Sequence, residues 1–153
     1  MRDEIKKLVN AISDETGYLN DLKEAMQDQR EAMKLRDEDY IKDLMDEIQE
    51  IFFNVQTCDN LRSDLAKKLA AKFSCGPKVS ELARIMTDDE RKIFNGAADV
   101  LAQSVFALKS EMIILSGLID QNEKYTSMLL SECQRIGGLG KNILQSGSTD
   151  FRG

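Results

Sequence analysis

Residues 98–136 read ADVLAQSVFALKSEMIILSGLIDQNEKYTSMLLSECQRI, and this stretch decides the fold. Leu101, Leu108, Leu115, Asn122, Leu129 and Ile136 follow one another at intervals of seven. Ala98, Val105, Met112, Ile119, Thr126 and Cys133 form a second column, each three residues ahead of the first. Two apolar columns at heptad spacing define a helix face built to pack against another helix, as in a coiled coil. The two polar intrusions, Asn122 and Thr126, fall in the same heptad.

Upstream, Thr87-Asp88-Asp89-Glu90 has the pattern of a capping box, in which the hydroxyl and the carboxylate satisfy each other's orphan amides. The long helix is therefore predicted to start at Asp88. Before it, Ser74-Cys75-Gly76-Pro77 is the strongest breaker in the chain. Gly76 is expected to end the preceding helix and Pro77 to stop its continuation. A short helix over 79–86 should fit between, with Ser80 as its cap.

The N-terminal half reads as two further long helices. In residues 3–34, Ile5, Leu8, Ile12, Leu19, Leu22, Met26 and Met33 form one stripe, with Glu15 and Gln29 in slots of the same series. Gly17 costs that helix about 1 kcal/mol without breaking it. Residues 35–39 form a charged turn, and Asp37 suits the N-cap of the second helix. Residues 38–73 carry Ile41, Leu44, Ile48, Ile51, Val55, Cys58, Leu65 and Leu69, widened by Phe52, Leu61 and Phe73. Two helices joined by so short a turn must fold back on each other. The predicted fold is all-α: a long antiparallel hairpin packed with a short helix and a third long C-terminal helix, an elongated coiled-coil-like bundle. Residues 1–140 form one domain, and the Gly- and Ser-containing residues 141–153 are expected to be a mobile tail.

Composition sets the limits on function. The 153 residues hold 21 Lys+Arg and 27 Asp+Glu, a net charge of −6, with no His and no Trp. Without His there is no Ser-His-Asp triad and no His-ligated zinc. An acidic balance argues against nucleic acid and anionic membranes, whose phosphates are held by Lys and Arg. Cys58, Cys75 and Cys133 are widely separated and odd in number, so they read as reduced thiols in a cytoplasmic protein. Nucleotide-binding glycine motifs are missing, and Gly137-Gly138-Leu139-Gly140 follows a helix where a phosphate cradle would precede one. The paired carboxylates sit at helix starts, where capping is their ordinary role. The expectation is no catalytic residue, no cofactor, no metal site and no membrane span. Between Ile93 and Ile119 only Asp99, Lys109 and Glu111 are charged. Such a helix either fills the groove of the hairpin or offers a surface to a partner.

Four pieces, in fixed order over about 5–140, resemble the FlgN family of flagellar type III export chaperones. They are Glu15-Thr16-Gly17-Tyr18-Leu19-Asn20-Asp21-Leu22; the turn Leu35-Arg36-Asp37-Glu38-Asp39-Tyr40; Cys58-Asp59-Asn60-Leu61-Arg62-Ser63-Asp64-Leu65 with the Val79-Ser80-Glu81-Leu82-Ala83 mini-helix; and residues 118–129. In the last piece Asn122 matches the first Asn of the family's Asn-x-x-Asn, and Tyr125 stands in place of the second. The resemblance implies a cargo, the hook–filament junction proteins, whose terminal segments are amphipathic helices. It places cargo contacts on Leu115, Ile119, Asn122, Tyr125, Leu129, Cys133 and Ile136. The family's tail engages an export-gate component through a Tyr-Gly-like element, for which Phe151 is the counterpart here. The same stripe would equally suit a homodimer, as in a coiled-coil adaptor with no export role.

Overall fold

The computed structural model describes residues 1–118 and, in isolation, Ser131. The described residues hold four helices and no strand: α1 (Asp3–Lys34), α2 (Glu38–Lys72), α3 (Val79–Arg84) and α4 (Asp88–Leu118). The expected three long helices and one short one are all present. The expected tail, residues 141–153, lies outside the described residues.

The helix ends show why the chain folds where it does. Asp37 caps α2 as expected, its Oδ1 accepting from the Tyr40 N–H at 3.1 Å. The capping box of α4 also forms: the Thr87 N–H donates to Glu90 Oε1 at 3.0 Å, and the Glu90 N–H donates to Thr87 Oγ1 at 3.2 Å. Two local expectations are corrected. The left-handed residue after α2 is Ser74, with φ 53°, and Gly76 plays no part in the helix end. Gly76 instead meets the Glu81 side chain: its N–H donates to Glu81 Oε2 at 2.8 Å, and a Cβ there would push that flexible carboxylate aside. Ser80 does not cap α3 either, since the helix begins one residue earlier, at Val79, with no side-chain cap.

α1 sits in the middle of the bundle. Its buried positions run through Leu8, Val9, Ala11, Ile12, Thr16, Leu22, Ala25 and Ala32, roughly half or more of its circumference at 100° per residue. Those of α2 and α4 form narrower stripes, and both helices pack along α1 while making little backbone approach to each other. α2 runs antiparallel to α1, with Lys72 Nζ donating to Glu4, Arg62 Nε to Glu15 Oε1 at 3.2 Å, and Gln29 Nε2 to the Ile41 carbonyl at 3.3 Å. α4 runs parallel to α1, with Ser104 Oγ donating to Asn20 at 3.1 Å and Gln27 Nε2 to Glu111 at 3.3 Å. So α4 does not fill the hairpin groove; it lies against one side of α1.

Leu44, Ile48 and Leu69 are buried as expected, whereas Leu65 is half-buried and packs at the core's margin. Leu61, expected to widen the stripe of α2, is exposed. Its place is taken by Arg62, whose guanidinium reaches the fully buried Glu15. The polar slots of α1 are therefore filled by an ion pair and a backbone contact, not left as gaps in the stripe. Truncation of Ile48 or Leu22 to Ala, both fully buried, should destabilise the bundle by about 2–5 kcal/mol in denaturant melts. Leu61→Ala should leave the midpoint unchanged within about 0.5 kcal/mol.

Candidate partner-binding face

The inner stripe of α4 is the candidate site, and within the described residues it is core. Phe94, Ala98, Leu101, Val105, Leu108, Met112 and Leu115 are all buried. Leu115, the first residue expected to contact cargo, is 0% exposed and belongs to the continuous hydrophobic cluster. Ile119, Asn122, Tyr125, Leu129, Cys133 and Ile136 lie outside the described residues, as does Phe151.

The structure adds the extent of the scaffold beside that stripe. Asn20 meets Ser104 and Gln27 meets Glu111, an offset of 84 residues in both cases. By that register the last helical residue of α1, Lys34, is level with Leu118. There α1 ends and the chain turns back, with Arg36 in the left-handed region at φ 55°. α2 starts at the same end, so neither hairpin helix extends past this level. In the sequence the heptad columns continue for 18 residues beyond it, from Ile119 to Ile136. α3 sits at the opposite end, beside the start of α4, and so takes up no part of the groove near Leu118.

That opposite end is held by a clasp the sequence did not reveal. The Arg2 backbone N–H and Nε donate to Glu90 Oε2 at 3.0 and 3.2 Å, while Nη2 donates to Glu90 Oε1 at 2.8 Å. Nη2 also donates to the Ile85 carbonyl at 2.8 Å, and the guanidinium lies 5.2 Å from the Phe73 ring centroid. One side chain thus joins the start of α1, the end of α2, the end of α3 and the start of α4. Only the capping-box half of this arrangement has a sequence signal, because Arg2 and Glu90 are 88 residues apart.

Chemically the described residues offer little. Among them no group of three or more Cys, Asp or Glu is placed to hold a metal ion. The Cys58 thiol is pushed up by burial, and further by Glu15 and Asp14, which favours its protonated form. A groove between α1 and α2 is lined by Tyr18, Asp21, Glu24, Asp28, Glu47 and Glu50, a solvated acidic surface. α4 is long and apolar enough to cross a bilayer by length and composition, yet its inner face is the core of the bundle. Its outer face is unusual: Ile93, Val100, Phe106, Ile113, Ile114 and Leu118 are each 44–59% exposed.

The described residues thus form an all-α bundle whose last helix is buried on one face and carries exposed apolar side chains on the other. The family model described as FlgN protein matches residues 1–141, and the chain belongs to that family of flagellar export chaperones. No curated protein and no solved structure gives a significant match.

The clasp makes a pH-dependent expectation. Hydrogen bonds from the Arg2 side chain, then from the Arg2 and Thr87 backbone N–H groups, hold the Glu90 carboxyl far below the usual carboxylate range. A folded pKa below the unfolded one gives stability that is present above the unfolded value of about 4.3 and lost as pH falls beneath it. Glu90→Gln should therefore lower the melting temperature at pH 7. The gap from the parent chain should narrow steadily below about pH 4. A gap of constant size across that range would show that charge plays no part.

Proposed function

We propose that this protein is a cytoplasmic chaperone that holds the helical terminal segment of a hook–filament junction protein and delivers it to the flagellar type III export gate. The contact surface in this reading is the stripe of Ile119, Asn122, Tyr125, Leu129, Cys133 and Ile136, entered from Leu115 at the edge of the core. One observation carries the reading. The scaffold helices stop level with Leu118, whereas the apolar heptad columns run on in the sequence. An apolar stripe that continues in the sequence past the level of the hairpin turn suits pairing with an amphipathic helix supplied by another chain.

The chemistry of the stripe fits transient holding. An Asn in an apolar seam lowers affinity and fixes the register of pairing, which suits a cargo that must be released. Tyr125 adds an aromatic of the type concentrated at binding hot spots. The net charge of −6 keeps a complex with an apolar cargo segment soluble. Phe151 is the proposed contact with the export-gate component.

Replacing Ile119 and Leu129 together by Asp should abolish capture of a junction-protein terminal peptide in a pull-down, with helix content by circular dichroism close to that of the parent. Capture that survives the double substitution would remove the site. Loss of the fold would instead assign these residues to the core.

A further inference from the structure

The turn that closes the α1–α2 hairpin carries side chains that the fold does not ask for. Leu35 is 80% exposed, the most open large apolar residue among those described, and Tyr40 is 45% exposed. Leu35 caps α1 through its backbone, its N–H donating to the Glu31 carbonyl at 3.1 Å, and that cap makes no use of the side chain. Arg36 stands at φ 55°, just past a helix end, where Gly is the usual residue because a Cβ is strained there. Its N–H donates to the Met33 carbonyl at 3.2 Å. Its guanidinium has no hydrogen bond or ion pair among the described residues. Backbone strain kept at an exposed turn points to a use.

The place of these side chains gives the use. By the register of α1 on α4 the hairpin tip lies level with Leu118, which is 51% exposed, and Ile114 one turn earlier is 44% exposed. Open apolar side chains from the end of α1, the start of α2 and the end of α4 thus share one level of the bundle. The proposed cargo stripe begins at that level, on the side of α4 that α1 occupies as far as Lys34. Paired helices lie side by side with their axes about 8–10 Å apart. A cargo helix on that stripe therefore takes up the line of α1, and its end has to meet the turn. The apolar side chains of an amphipathic helix end suit Leu35 and Tyr40. An unpaired guanidinium suits a carboxylate, the group that commonly sits in the first turn of a helix.

We infer that the hairpin tip is the end-stop of the cargo seat: Leu35 and Tyr40 cover the last apolar side chains of the bound helix, and Arg36 pairs with a carboxylate in its terminal turn. This rests on the reading of the stripe beyond Leu118 as the cargo surface. It adds a fixed register to that reading. A seam of heptads alone lets a partner helix slide by one repeat, whereas a stop at the tip admits one position.

The test measures binding of a labelled junction-protein terminal peptide to the full chain by fluorescence anisotropy, with the melting temperature of each variant read alongside. Leu35→Ser with Tyr40→Ala should weaken binding about tenfold and leave the melting temperature unchanged, since both side chains are exposed. Arg36→Gly should raise the melting temperature by relieving the left-handed strain. It should nevertheless weaken binding about threefold and flatten its dependence on salt. A residue that served only the fold would not move stability and affinity in opposite directions. A photo-reactive aromatic in place of Leu35 should cross-link to one end of the peptide. Tip variants that bind as the parent does overturn the inference and leave the chaperone reading standing. A melting temperature that falls together with affinity assigns the tip to the bundle and overturns it as well. So does cross-linking to the middle of the peptide, or to residues 141–153 of the same chain, which would name the tail as the occupant. A parent chain that does not bind the peptide takes down both the chaperone reading and the inference.

Discussion

α1 has to bury a helix on each side, and the rest of the structure depends on that requirement. Its buried positions span a wide arc, whereas α2 and α4 each offer a single stripe. A helix covered on two sides has fewer positions at which polar residues can reach water. Glu15 and Gln29 are the consequence: both are fully buried. A buried carboxylate is costly unless paired, and Arg62 supplies the pair from α2 at 3.2 Å. Gln29 is satisfied by the carbonyl of Ile41 on the same partner helix. Both contacts cross from α1 to α2 and so favour one register of the hairpin alongside its apolar packing. The hairpin register then sets how far the scaffold reaches.

Reach is the property that bears on function. α1 and α4 run in parallel and begin at the same end, where Arg2 binds Glu90. Because α4 starts level with α1, the shared register fixes the level at which α1 ends beside α4. That level is Leu118, at the turn capped by Asp37. The same clasp gathers Phe73 and the carbonyl of Ile85, so the segment between α2 and α4 lies at the end opposite the α1–α2 turn. Among the described residues, the Arg2–Glu90 clasp ties one end of the bundle, and the turn between α1 and α2 marks the other.

The two faces of α4 differ in the way their heptads are built. Within the described residues the inner columns are apolar and, Ala98 apart, large, and they are buried. The outer columns, which start at Ile93 and Gly96, alternate a larger residue with Gly, Gln or Ser, and they are open to solvent. Uniform large residues suit a permanent core, which gains from every buried methylene.

The sequence alone determined the elements. Periodicity placed α1 and the start of α2, the Asp37 cap ended the turn, and the Thr87–Glu90 box began α4. These signals are local: a cap or a stripe acts within one or two turns, so it can be read from neighbouring residues. The sequence also excluded chemistry that needs His, and its ordered pieces pointed to the FlgN family. It did not determine which helix lies in the middle, since every amphipathic stripe reads alike until its partners are known. The left-handed residue at Ser74 in place of Gly76, the exposure of Leu61 and the burial of Glu15 all depend on contacts from another helix. Arg2 and Glu90 show no mutual signal along the chain, because only the parallel packing of α1 and α4 brings them together. Of the candidate site, the sequence supplied the stripe, and the tertiary structure decided where the scaffold beside it stops.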